Sequence, residues 1–180
     1  LSLRHALRRG AFHALMGSAL GLALFFSPQV AVVVGLAAVT AIFLSFEVMR
    51  LGLPSLNRWF VRWFAPLLRR EEGTGLTTSS YFLAGCMITV LAVPKHIAVP
   101  AILFVALGDP AATAIGLWKG HIRPWRRSVE GHIACLVVCL LVGSLLACTL
   151  EGLSLTVAIV GAVSATLFEA LPIPLDDNFT

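Results

Sequence analysis

Unbroken runs of Leu, Val, Ala, Ile and Gly fill six blocks of the chain, near residues 10–27, 29–48, 78–94, 97–118, 132–150 and 153–170, with short polar or basic stretches between them. Each block is close to the roughly 20 helical residues that cross a ~30 Å hydrocarbon core. None shows the period-2 alternation of an outer-membrane strand. The pattern predicts an all-α, polytopic transmembrane helical bundle of about six spans, forming a single integral membrane domain over residues 1–180.

One segment follows a different rule. In PSLNRWFVRWFAPLLRR, residues 54–70, Leu56, Trp59, Phe60, Trp63, Phe64, Leu67 and Leu68 recur at i, i+3, i+4, while Arg58, Arg62 and Arg69 lie off that stripe. This spacing predicts an interfacial amphipathic helix, kinked at Pro66. Its rings and arginine stems suit anchoring at headgroup level, and also suit guiding a lipid head group toward a site.

Composition changes the picture only by confirming its class. The chain is 58% hydrophobic and 12% charged, with a mean hydropathy of +0.93, far more apolar than a soluble domain. No removable signal peptide is read at the amino end. Cys86, Cys135, Cys139 and Cys148 lie in apolar blocks without zinc-site spacing and read as small core residues.

Charge supplies the orientation. Arg4, Arg8, Arg9, Arg50, Arg58, Arg62, Arg69, Arg70, Lys119, Arg123, Arg126 and Arg127 fall on one side of a six-span arrangement, and only Lys95 on the other. The positive-inside rule places the crowded side in the cytoplasm. Glu47, Glu71, Glu72, Glu130, Glu169, Asp176 and Asp177 share that side, Glu151 lies opposite, and Asp109 remains within a span. The expected setting is a bacterial or archaeal plasma membrane, with the working face cytoplasmic.

An ionised carboxylate inside a span costs several kcal/mol unless it meets a cation, a metal or water. Asp109, in FVALGDPAATAIGLWKG, is therefore a functional-site candidate, with a structural arginine partner as the plainer reading. The flanking Gly108 and Pro110 predict a break or kink that opens a cytoplasm-facing water pocket. Asp109, Ala112, Thr113, Gly116 and Gly120 share one helical face whose small residues admit a neighbouring helix.

Other polar clusters sit at the same end. In KGHIRPWRRSVEGH, Lys119, Arg123, Arg126 and Arg127 stand beside a helix start with Ser128, Glu130 and Gly131. That arrangement suits a polyphosphate, although a bare topology signal would also supply the cations. Asp176, Asp177 and Asn178 after Glu169 and two prolines offer clustered oxygens of the kind that suit Mg²⁺, or form an acidic tail. Arg9, His13, Gly17 and Gly21 share a face near the amino end, where His13 suits either a structural hydrogen bond or proton transfer. EEGTGLTTSS, residues 71–80, reads equally as a phosphate-wrapping loop and as an ordinary loop with a helix cap.

The Walker, protein-kinase, nucleophile-elbow and zincin templates are all absent. Taken in order, however, RRGAFHALMG, FEVMR, GLTTSSYFLAG, ALGDPAATAIG, RSVEG and EALPIPLDDN resemble the dolichol kinase, phytol kinase and CTP-dependent diacylglycerol kinase family over nearly the whole chain. The resemblance implies phosphorylation of a lipid alcohol by a nucleoside triphosphate, typically CTP, with a divalent metal. It places the family's site on Asp109, Glu130, Asp176, Asp177, Arg9 and His13. Two departures stand out: Arg127 where the family commonly has Lys, and His132 where it has Ser or Thr. The family also commonly continues into a further apolar span after the segment that ends here in DDNFT.

The resulting expectation is a lipid alcohol kinase with Mg²⁺ held by Asp109, Asp176 and Asp177. Lys119, Arg126 and Arg127 would balance phosphate charge, with Arg9, Ser128 and Gly131 also lining the nucleotide site. Glu130 would orient a basic group or the metal, and Asp109, Asp177 or His13 would serve as base. The acceptor is a polyprenol, a phytol-like alcohol or diacylglycerol, and no nucleic acid is involved. A CTP:phosphatidate cytidylyltransferase is the nearest enzyme alternative. An ion-coupled transporter would need polar groups continuing through the outer half, where only Lys95 and Glu151 are charged.

Overall fold

A computed structural model describes residues 3–69, 71–122 and 128–171. Its elements are α1 (Leu3–Phe26), α2 (Gln29–Gly52), α3 (Pro54–Phe64), a 3₁₀ turn at Glu71–Gly73, α4 (Thr78–Ala92), α5 (Lys95–Lys119), α6 (Val129–Thr149) and α7 (Leu155–Ala170). Contacts run in opposite directions along α1 and α5 and along α5 and α6. Gly10 faces Pro110 while Gly21 faces Leu103, and Gly108 faces Cys135 while Gly143 faces Phe104. The helices therefore alternate up and down. Short turns gather at one end and the basic loops at the other.

By length and composition α1, α2, α5 and α6 are long and apolar enough to cross a membrane. The expected six spans are not all matched, because α4 has 15 residues and α7 has 16. At 1.5 Å per residue these reach about 22–24 Å, short of a ~30 Å core. Their ends are set locally: Val93 and Pro94 close α4, and Ser154 starts α7, its Oγ accepting from Val157 N.

Two further expectations are corrected. The amphipathic helix is α3, but it stops at Phe64, ahead of Pro66, so the proline ends the helix instead of kinking it. Phe60 is buried while Trp59 and Trp63 are exposed, as an interfacial helix requires. Gly108 and Pro110 do not break α5, which runs unbroken with Pro100 and Pro110 inside it. Packing explains this. α5 is the central helix, touching α1, α4, α6 and α7, so tertiary contacts offset the hydrogen bonds its prolines remove. A Cβ at Gly17 would collide with Ala106, and one at Gly131 would lie 2.7 Å from the Ala112 carbonyl oxygen. These glycines let α1 and α6 close on α5.

The short-turn end is tied by side chains. Gln29 Nε2 donates to the carbonyls of Val90 (2.7 Å) and Val93 (2.9 Å), and Lys95 Nζ donates to that of Ser27 (3.0 Å). The lone cation of this end thus joins two turns.

At the basic end, Glu47 and Arg50 lie fully buried within α2 instead of in a connection. Arg50 Nε and Nη2 donate to the two Glu47 oxygens, each at 2.8 Å. Nη1 donates to Asn57 Oδ1 (2.9 Å) and to the Glu72 carbonyl (3.2 Å), and Nη2 also to the Gly75 carbonyl (2.7 Å). All five guanidinium donors are thereby satisfied. Thr77 N donates to Glu47 Oε2 (2.9 Å), and Thr78 N to Glu72 Oε1 (2.9 Å). The 71–80 segment therefore folds as a loop and helix start in which the Thr77 and Thr78 amides meet the chain's own carboxylates.

The charge count makes the basic end cytoplasmic by expectation. In a background lacking the native cysteines, an impermeant maleimide added outside should label Glu151→Cys and spare His121→Cys. The opposite pattern would invert the assignment.

Candidate functional site

Polar residues of the bundle's interior lie toward its basic end, on α5 and on the α1, α6 and α7 helices that pack against it. His13 on α1 sets its ring edge-on to Phe82 at 4.7 Å between centroids. Asp109 and Arg9 lie within electrostatic range of it, and the Val105 carbonyl accepts from the ring. His13 Nε2 is buried with no hydrogen-bond partner among the described residues. The pairing of an aspartate on α5 with a histidine on α1 follows from the Gly17 and Gly10 contacts, which hold α1 against α5 at this level.

On the other flank of α5, Cys135 lies in the fields of both Asp109 and Glu169. Glu169 Oε2 approaches His132 Nε2 to 3.3 Å, with side chains only 11% and 15% exposed. Thr166 Oγ1 turns toward Cys135 Sγ (3.8 Å) and donates to the Ala162 carbonyl (2.9 Å). The thiols here are free. His132 and Glu169 are site neighbours that the sequence reading left out of the site. Their signal was present: an acid at the end of an apolar block, and a histidine where the resembled family has a hydroxyl residue.

The α6 start forms a second group. Ser128 is buried and caps α6, its Oγ accepting from Gly131 N at 3.1 Å. Glu130 Oε1 accepts from His121 N (3.0 Å) and Ile122 N (3.3 Å), pinning the loop that leaves α5. Its Oε2 is buried without a partner among the described residues. Lys119 Nζ lies over the Trp118 ring at 4.4 Å. Because α5 is continuous, Lys119 stands ten residues, about 15 Å along the axis, from Asp109. The structure thus joins Asp109, His13 and Arg9, and separately Ser128, Glu130 and Gly131. Arg126, Arg127, Asp176 and Asp177 lie outside the described residues.

Among the described residues no three His, Cys, Asp or Glu side chains converge as a metal site. Asp109 offers one carboxylate. That matches Mg²⁺, which typically takes one or two protein carboxylates, keeps waters and completes its shell with substrate phosphates.

No family model matches the chain, and no solved structure matches it. It is 25% identical over 148 residues to an uncharacterized protein of Rickettsia prowazekii, covering 80% of this chain and 72% of that protein. It is 26% identical over 94 residues to CTP-dependent diacylglycerol kinase 1 of Schizosaccharomyces pombe, covering 51% of this chain. The match spans 43% of that kinase's length. A helical membrane protein with a half-buried aspartate and histidine toward its basic end is thus similar, over half its length, to a kinase of diacylglycerol.

Proposed function

We propose that this chain phosphorylates a lipid alcohol at the cytoplasmic membrane face, using CTP or another nucleoside triphosphate with Mg²⁺. The observation that carries the reading is His13 Nε2, buried with no hydrogen-bond partner among the described residues and within electrostatic range of Asp109, in a chain similar to a CTP-dependent diacylglycerol kinase. A neutral imidazole donating from Nδ1 to Val105 presents Nε2 as a proton acceptor.

The acceptor hydroxyl would meet His13 or Asp109, lose its proton there, and bond through oxygen to the terminal phosphorus as the nucleoside diphosphate departs. Arg9, Lys119, Arg126 and Arg127 would supply positive charge for the phosphates. Ser128 and Gly131 act by fixing the start of α6, and Glu130 by holding the loop. Bound Mg²⁺ would neutralise phosphate charge, with Asp109, Asp176 and Asp177 as its protein ligands. Asp177→Ala is then expected to raise the Mg²⁺ concentration required for half-maximal activity. Unchanged metal dependence after deletion of residues 175–180 would remove the pair from the site.

The decisive assay incubates purified protein with a lipid alcohol and CTP labelled at either the α or the γ phosphate. A kinase transfers only the γ label. In a parallel reaction with phosphatidate, incorporation of the α label with release of pyrophosphate would identify a CDP-lipid synthase, and transfer of neither label to diacylglycerol, phytol, polyprenols or phosphatidate would overturn the enzyme reading.

A further inference from the structure

We infer that the groove between α4, α5 and α7 holds the hydrocarbon chain of the acceptor lipid, with its hydroxyl directed to Asp109. The inference deepens the kinase reading and rests on it for the identity of the head group.

The groove has a volume of about 370 Å³ and is lined by Phe82 and Gly85 of α4, Ala101 and Val105 of α5, and Gly161 and Ala165 of α7, among others. Thr89, its lining hydroxyl, already donates to the Gly85 carbonyl at 2.9 Å, so the lining side chains are mainly apolar toward an occupant. The volume sits at the lower end of the roughly 300–1,000 Å³ typical of ligand pockets.

Helical register joins this groove to the acids. Ala101, Val105 and Asp109 follow one another at i, i+4 along α5, and Gly161, Ala165 and Glu169 do the same along α7. Phe82, at the groove's inner end, is the residue whose ring packs on His13. The apolar trough therefore points along α5 and α7 toward Asp109 and Glu169, and touches His13 through Phe82, which is the polarity pattern of a lipid alcohol. Its direction fits too: a lipid with its hydroxyl toward the basic end extends its chain toward the short-turn end.

From Ile97 to Val105 the groove follows α5 for about 12 Å, an elongated shape that suits an extended hydrocarbon.

The test uses the full chain in phosphatidylcholine nanodiscs with diazirine-tagged diacylglycerol, or a diazirine-tagged isoprenoid alcohol, followed by peptide mapping. Label should fall on the groove-lining segments, and excess untagged alcohol of the same type should reduce it at least tenfold, whereas added phosphatidylcholine should not. Ala101→Phe, which fills the groove, should reduce the label by a similar factor while eluting as wild type. In turnover assays it should raise KM for long-chain acceptors and spare dibutyrylglycerol. Equal labelling by diazirine-tagged phosphatidylcholine would mean bulk lipid, and no groove label from either alcohol would mean another occupant; either result overturns the inference. Should Ala101→Phe misfold, the wild-type competition still decides. The labelling needs no turnover, so absent phosphoryl transfer would remove the kinase reading without bearing on which lipid the groove selects.

Discussion

Asp109→Asn should leave the protein folded and lower phosphoryl transfer by at least about 10²-fold, the scale on which removal of one preorganised electrostatic group acts. The amide keeps the shape of the side chain inside α5 and loses the charge that both a metal ion and the His13 ring would sense. Because Asp109 and His13 share one field, their effects should not add. His13→Gln alone should also lower the rate, and the double variant should be little worse than Asp109→Asn, as found for residues that act as a unit. Single-turnover rates with monodisperse protein check this. Near-normal turnover in Asp109→Asn would exclude the aspartate from the chemistry, and full additivity would mean that the two side chains act separately.

The second large effect is on stability. Arg50→Leu should destabilise the fold by about 3–5 kcal/mol, because it leaves Glu47 charged, buried and without its partner. It also leaves the Glu72 and Gly75 carbonyls and Asn57 without their donor. Arg50→Lys should recover little, since an ammonium offers three donors from one point where the guanidinium places five in a planar fork. The double variant Arg50→Leu with Glu47→Leu should recover part of the loss: the orphaned charge is gone, but the loop carbonyls remain unmatched. Thermal unfolding in a fixed detergent measures the series. A melting temperature for Arg50→Leu equal to that of wild type would show that the 71–77 loop does not depend on the network.

That network also shows where sequence reading stops. The motifs FEVMR and GLTTSS stand about 25 residues apart, and charge counting put Glu47 and Arg50 among the connection residues. Only folding shows that α2 carries them inward to meet the backbone of the next loop, because a hydrogen-bonded pair of opposite charges can be buried where either alone could not. Likewise, Glu169 and His132 are 37 positions apart and become neighbours only through the antiparallel packing of α6 and α7.

The sequence by itself determined the helical membrane class, the apolar blocks, the interfacial α3, the asymmetry of charge and the singular position of Asp109. Each is a local or summed property: hydropathy over about 20 residues, a 3.6-residue period, or a carboxylate that hydrocarbon does not tolerate. The tertiary structure decided what depends on neighbours. Caps and prolines, and not hydropathy, set the lengths of α4 and α7. Contacts with α1, α4, α6 and α7 kept α5 continuous through Pro110, where local propensity predicts a break. The approach of α1 to α5 across Gly17 and Gly10 brought His13 within electrostatic range of Asp109, 96 positions away in the sequence, which no local pattern encodes because only close packing of two helices brings their side chains into one field.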